Sequence, residues 1–519
     1  MRIWTIALAL SAGMTVQAAT VPPPRFTDPG RRAKLATAFD DIDRIFRGFA
    51  ERTHVPGAAW GIIVDGELAH AGVFGYRDVA TRAPVDADTV FRIASMTKSF
   101  TAMSILKLRD EGKLSLDDLA ERYVPELNAL KYPTTDSPRI TLRHLLSHSE
   151  GFPEDNPWGD RQLSRSDDEM AAMMRAGIPF SNAPGVAYEY SNYGFAILGR
   201  IVSRVSGKPY DAYVAENILV PLGMTSTTLY PDRVDRNRLA LGYRWEDERW
   251  KEEPLLPHGS FGAMGGMLTT VRDLARYVGA FLSAWPPRDG AETLPIRRAS
   301  LREMQQAWRS SGARVARDPS SGAPQLTAGA YGFGLSVTET CDFHAMIAHG
   351  GGLPGFGSTM RWLPEYGVGV IAFGNLTYTG WTPAATEAFN RFARTGGLEP
   401  RVIEPSPALV EARDAVSKLL IAWDDRLADR VAADNLFLDR TTERRRAEME
   451  TLRARVGVCS PPDRFDVVQN ALRGLWTLTC ERGRLQVSVT LAPTMPPTVQ
   501  LMEVRPAPSE TRPPATCSQ

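Results

Sequence analysis

Strand-like segments cluster at the two ends of one long stretch of this chain, and that spacing constrains its fold more than anything else. Ala58 to Val64 reads as a strand, Asp65-Gly66 as a tight turn and Leu68 to Phe74 as the returning strand. Strands return only at Tyr331 to Val337, Ala345 to His349, Ser358 to Leu363 and Gly367 to Phe373. From about residue 115 to 285 the pattern is helical with loops. Strands at both ends with helices between predict an α+β sandwich: an antiparallel sheet built from both ends of a domain, flanked by helices and joined by a helical subdomain. Ser310 to Gly329, rich in Ser, Gly, Pro and Ala, reads as a long surface loop.

The 519 residues are too many for one ordinary domain. Residues 20–397 form the expected main domain. Residues 398–407, with three prolines, read as a linker. Residues 408–505 read as a small α+β domain. Its helices fall near Ala408 to Leu436 and Thr441 to Val456, and its strands at Phe465 to Val468, Gly474 to Cys480 and Leu485 to Leu491. The Pro-rich tail, 506–519, is expected to be disordered.

Residues 1–19 carry a secretory pattern: Arg2, an apolar run from Ile3 to Ala12, and small residues around Val16-Gln17-Ala18. The expected location is therefore periplasmic or secreted. No later stretch reaches the ~20 apolar residues of a membrane span. Sixty basic residues offset sixty acidic ones, with no basic run to mark a nucleic-acid or membrane surface. Of the four cysteines, Cys459 and Cys480 fall within one small folding unit and are the expected disulfide pair.

Three short elements carry chemistry. Ser95-Met96-Thr97-Lys98 opens a helical pattern that Gly112 ends. At helical spacing the Lys stands one turn above the Ser hydroxyl. A serine needs a base to become a nucleophile, and a lysine serves only if its pKa is brought down. The second element is Tyr190-Ser191-Asn192. The tyrosine hydroxyl can relay a proton if neighbouring cations lower its pKa, and the asparagine can hold a substrate amide. The third, His349-Gly350-Gly351-Gly352, ends a strand candidate. Its glycines admit substrate close to the strand edge and offer an N–H to an oxyanion. His349 can donate to a substrate carboxylate or tune the tyrosine.

In order and separation these elements resemble those of the penicillin-binding protein and class C β-lactamase superfamily: S-x-x-K, Y-x-N and K-T-G or H-x-G. Ile140 to His148, Pro221 to Met224, Gly265 to Thr270 and Tyr331 to Gly334 are similar to supporting stretches of that family. The resemblance spans roughly residues 40 to 395. It implies a serine hydrolase working through an acyl-enzyme on Ser95, with Lys98 and Tyr190 as base and acid. Asn192, His349, Gly351 and Gly352 would contact substrate, and the N–H groups of Ser95 and Gly352 would form the oxyanion hole. It implies no cofactor and no metal, and a small-molecule or peptide partner. H-G-G in place of K-T-G points toward the D-Ala carboxypeptidase, D-aminopeptidase and esterase branches. The alternatives are a β-lactamase or a binding protein without turnover. Loop shape would set the substrate, and the candidate loops are Asn156 to Arg161 and Ser310 to Gly329.

Two other features carry less. His144 and His148, four apart on an expected helix, could face a metal together, but no third ligand stands nearby. Asn375-Leu376-Thr377 fits a glycosylation acceptor directly after a buried-looking strand. The C-terminal domain weakly resembles the nuclear-transport-factor-like cone fold, which implies an accessory role.

Overall fold

The computed structural model describes residues 21, 23–156, 158–317, 322 and 324–507. The expected secretory segment, 1–19, and the tail beyond residue 507 lie outside the described residues. Two compact units make up the rest. One consists chiefly of Arg25–Pro287 with Glu292–Val402, the other of Ile403–Val504.

In the larger unit, β1 (Gly57–Val64) is Gly-Ala-Ala-Trp-Gly-Ile-Ile-Val, apolar on both faces. Such a strand is stable only with cover above and below, and every residue of it is buried. Asp65 (φ 54°) and Gly66 (φ 85°) both adopt the left-handed conformation that a two-residue hairpin turn demands. They return the chain as β2 (Glu67–Asp78), followed by the short β3 (Ala83–Pro84).

Far along the chain come β4 (Arg309–Arg317), β5 (Pro324–Tyr331), β6 (Ser336–Thr340), β7 (Met346–Leu353), β8 (Phe356–Leu363) and β9 (Val368–Gly374). All nine strands form one antiparallel sheet in the order β3-β2-β1-β9-β8-β7-β6-β5-β4. The seam between the two ends of the domain is β1 against β9, with Ala58 opposite Gly374 and Val64 opposite Val368.

Helices cover both faces. Trp60, Ile62 and Val64 share a core with α1 (Phe39–Arg52) and the C-terminal helix Thr382–Arg394, around Phe46, Trp381 and Phe389. Ala59 and Ile63 face the other core, built from the helical middle of the chain. There α2 (Thr97–Asp110) and α3 (Asn192–Ser206) carry the first two chemical elements.

Four expectations need correction. Ser310 to Arg317 and Pro324 to Gly329 are not loop: they lie in the edge strand β4 and in its neighbour β5. Tyr331 to Val337 is not one strand, because Gly332 to Leu335 turns between β5 and β6. The glycines of His349-Gly350-Gly351-Gly352 do not end a strand but lie inside β7, paired residue by residue with β8. Part of the expected linker is anchored: Arg401 donates to Leu282 O (2.6 Å), and the Val402 N–H to Arg25 O (2.9 Å).

The smaller unit places helices Pro407–Ile421, Asp425–Val431 and Thr442–Val456 with a four-stranded sheet. Its strand Gly483–Leu491 buries Leu485, Val487, Val489 and Leu491 in strict alternation. Trp476 is fully buried and donates its indole N–H to Ser417 Oγ at 3.0 Å. The expected Cys459–Cys480 disulfide is present. A fourth strand, Val499–Pro506, joins the three expected ones. It buries Val499 and Met502, three apart, and so lacks the alternation that marks a strand in sequence.

Candidate active site

Ser95 lies in a single 3₁₀ turn, Ala94–Met96, that leads into α2. Ala94 has φ 49°, a left-handed conformation costly to any residue with a Cβ. Strain of this kind persists only where surrounding contacts dictate it, and here they do. Thr97 Oγ1 donates to Ala94 O (2.7 Å) and accepts from the Met267 N–H (3.1 Å). Ser358 Oγ, from β8, donates to Ile93 O (2.8 Å). From β7, Gly351 presses so closely that a Cβ there would stand 2.1 Å from Ile93 O. Gly351 therefore supports the turn from behind and, contrary to expectation, is not among the residues that line the cleft.

Lys98 is wholly buried, and its three ammonium donors have three partners: Ser95 Oγ (3.2 Å), Asn192 Oδ1 (2.6 Å) and Met264 O (2.8 Å). Its Nζ also lies 4.8 Å from the centre of the Tyr190 ring. Burial pulls its pKa down to about 7, against the opposing pull of Asp160 and Asp155. Once neutral, the amine keeps two N–H groups, which match the Asn192 and Met264 oxygens. Its lone pair then falls to Ser95 Oγ.

The Tyr190 hydroxyl hydrogen-bonds with Ser95, but burial drives its pKa well above the usual tyrosine value. The expectation that cations would lower it is not met. Tyr190 is a neutral phenol, fit to pass a proton but not to start as a phenolate.

Asn192 is fully buried. Its Oδ1 serves Lys98 and its Nδ2 donates to Asn156 Oδ1 at 2.5 Å, so Asn156 and not Asn192 lines the cleft. Asp155 accepts from the N–H groups of Asn192 (2.7 Å) and Tyr193 (2.8 Å), fixing the start of α3. His349 Nδ1 lies 2.6 Å from Gly350 O, an acceptor only, so that nitrogen carries the proton. Nε2 then accepts from the Tyr331 hydroxyl at 2.9 Å. Burial and Lys98 hold the His349 pKa at about 3, so the ring is neutral. Its only N–H is used internally, which corrects the expectation of a donor to a substrate carboxylate.

Ser95, Tyr190, His349 and Gly352 thus converge on one cleft of about 430 Å³. The β-lactamase family model matches residues 42–394, more than half of the chain. The chain belongs to the β-lactamase family.

Its relatives include Protein flp of Staphylococcus aureus (strain COL), 28% identical over 356 residues, which are 67% of this chain and 65% of that protein. The chain thus spans just under two thirds of the length of the curated relatives it matches first. Beta-lactamase-like protein 2 of Dictyostelium discoideum is 31% identical over 260 residues, 49% of this chain and 47% of its own. Among solved structures, the octameric penicillin-binding protein homologue from Pyrococcus abyssi aligns over 92% of this chain and 90% of its own (TM-score 0.56, 22% identity). A class C β-lactamase aligns over 68% of this chain and 96% of its own (TM-score 0.54, 19% identity). Both show the shared fold.

Sequence reasoning singles out neither of two buried acids of this β-lactamase-family chain, although one of them, Asp160, lies in the loop Asn156 to Arg161 expected to shape specificity. Asp160 is 2% exposed and lines the cleft. Its Oδ2 accepts from the Tyr378 hydroxyl (3.0 Å), while Oδ1 has no hydrogen-bond partner among the described residues. Glu150 is fully buried beside Gly194. Neither of its oxygens makes a well-formed hydrogen bond among the described residues. Burial raises its pKa well above the carboxylate range, outweighing the help of its own backbone N–H and Ser191.

The two expected helix-mates His144 and His148 are not on one helix, which ends at Leu146. His144 Nδ1 accepts from the Thr141 N–H as a helix cap (3.2 Å), and His148 Nδ1 accepts from the Ser191 N–H (3.1 Å). No group of metal-ligating side chains forms among the described residues. Asn375 is fully buried and donates to Tyr76 O (3.1 Å) and Leu241 O (3.0 Å), which removes it from the surface. No described helix is long and apolar enough to cross a membrane.

Proposed function

We propose that this chain is a serine hydrolase that cleaves amide or ester bonds of small or peptidoglycan-derived substrates through an acyl-enzyme on Ser95. The single observation that carries this reading is the buried Lys98 amine, 3.2 Å from Ser95 Oγ with its pKa brought down to about 7. A lysine in that state is a general base at physiological pH.

In the proposed reaction, neutral Lys98 takes the Ser95 proton as Oγ attacks the substrate carbonyl. The negative charge on the carbonyl oxygen is met by the N–H groups of Ser95 and Gly352. The tetrahedral intermediate collapses by breaking the bond to the leaving amine or alcohol, which takes a proton passed from Lys98 through the Tyr190 hydroxyl. A water molecule then attacks the ester, delivering its proton to the same pair, and Ser95 Oγ is released and reprotonated. Asn192 holds Lys98 in line, and Asn156 meets the substrate.

The test is turnover of a short-chain nitrophenyl ester, a D-alanyl anilide and a chromogenic cephalosporin by the protein and by Ser95→Ala. Turnover of any probe that vanishes in the variant is the expected result, and the preferred probe names the branch. A folded protein whose Ser95 is neither acylated nor labelled by a serine-reactive phosphonate would overturn the reading. We also place the protein in the periplasm or outside the cell, a reading supported by the Cys459–Cys480 bridge. A mature N-terminus near residue 20 is the check.

A further inference from the structure

The cleft in front of Ser95 is walled by the side chains of Tyr188, Tyr190, Tyr331 and Tyr378, with Asp160 beside them and no Lys or Arg among its described lining residues. His349, which lines it too, has its one N–H turned to Gly350 O. A substrate carboxylate therefore meets no cation and no imidazole donor. Tyrosine rings together with one carboxylate are instead the chemistry that recognises a cation. One oxygen of that carboxylate is already bound by Tyr378, and the other is buried with no partner among the described residues. A buried acceptor left in that state costs free energy that a charged donor recovers.

The charges that act on this wall are of both signs, with the acids in the majority. Glu154 and Asp155 flank Asp160 and act on it electrostatically; Lys98 opposes them from beneath, and Arg161 acts on Tyr378. The neighbours of Asp160 fix its place in the cleft. Gly159 approaches Asn192 so closely that a Cβ would stand 2.7 Å from the Asn192 Cβ. The next residue, Asp160, is thereby held on the Asn192 and Asn156 side of the cleft. On the other side of Asp160, Tyr378 lies over Gly352, where a Cβ would stand 2.7 Å from the Tyr378 ring.

We propose that Asp160 is a specificity-determining residue that selects substrates bearing a free ammonium group near the scissile bond, with the tyrosine rings completing the cation site. The proposal deepens the serine-hydrolase reading and rests on it for the identity of the reacting bond. It favours the aminopeptidase type of substrate over the carboxypeptidase type.

The decisive comparison is D-alanine 4-nitroanilide, whose ammonium is free, against its N-acetyl derivative. The wild-type protein is expected to favour the free amine in kcat/KM by about tenfold or more, as befits one desolvated charge pair. That ratio collapses toward one in Asp160→Asn and returns in part in Asp160→Glu. An equal rate or a preference for the acetylated compound in the wild type overturns the proposal. So does a variant that slows both substrates equally, because Asp160 would then act only through Lys98.

A second measurement is independent of turnover. Calorimetric titration of Ser95→Ala protein with D-alaninamide is expected to show binding that N-acetyl-D-alaninamide lacks. Equal binding of the two, or binding of neither, overturns the proposal. Failure of phosphonate labelling at Ser95 would sink the acyl-enzyme reading, and this titration would still decide whether the cation site exists.

Discussion

The floor and the wall of the cleft are built on opposite terms. On the floor every donor of Lys98 has an acceptor, Asn192 has a partner at each end of its amide, and bonds to Ile93, Ala94 and Thr97 hold the turn around the strained Ala94. Behind and beside the floor, Asp160 and Glu150 bury carboxyl oxygens that make no well-formed hydrogen bond among the described residues. A satisfied network fixes geometry before substrate arrives, which is what a base and a nucleophile need. An unsatisfied buried acid is a destabilised element that only a ligand, a proton or a substitution can relieve. On the proposed reading the floor serves the chemistry and the wall the selection.

Breaking the floor should have the largest effect. Ser95→Ala is expected to reduce kcat by about 10⁵-fold or more, and Lys98→Ala by about 10³-fold or more, in single-turnover assays. A drop under tenfold for either would mean that another group does the work. The loss of ammonium selectivity in Asp160→Asn, described above, comes next in size.

The pH dependence sharpens the same contrast. Burial depresses the Lys98 pKa, so the neutral amine, the active form, gains population as pH rises through about 7. On a neutral ester, kcat/KM should climb about tenfold per pH unit below that value and level off above it. A flat profile between pH 5 and 8 would remove Lys98 as the base.

The smallest effect concerns Glu150. Its folded-state pKa lies above its unfolded value, so its contribution is intact below the unfolded pKa and is lost as pH rises toward the folded one. Glu150→Gln cannot ionise and should raise the thermal midpoint at pH 8, by about 1–2 kcal/mol of stability, with a difference that shrinks toward zero at pH 4. A variant less stable than wild type at pH 8 would show that the acid has a partner worth keeping.

What the sequence made legible follows the same division. Ser95 and Lys98 are readable because a three-residue helical spacing dictates their contact wherever the helix goes. The β1 and β9 strands are readable because runs such as Ala58 to Val64 have few other places to be buried. Asn156 and Asp160 are legible only as members of a loop expected to shape specificity, and Glu150 not at all, since their individual contacts arise where long-range packing brings loops against α3. The strand pair β4 and β5, with β4 at the edge, escapes for a related reason. An edge strand exposed to solvent needs no apolar alternation, and its Ser, Gly and Pro residues imitate a loop. The His349 tautomer depends on Gly350 O and Tyr331, contacts that no spacing rule reports.

The β1–β9 seam has a consequence for the order of events during synthesis. Strand β1 leaves the ribosome among the first residues of the domain, yet the strand that pairs with its inner edge follows some 300 residues later. Until then an apolar segment, Gly57–Val64, has one edge open, and the β1–β2 hairpin cannot settle into its final sheet. Folding of this domain is therefore a late, nearly all-at-once event that waits for the last strand. A nascent chain halted before β9 would be an aggregation hazard and not a partly finished domain.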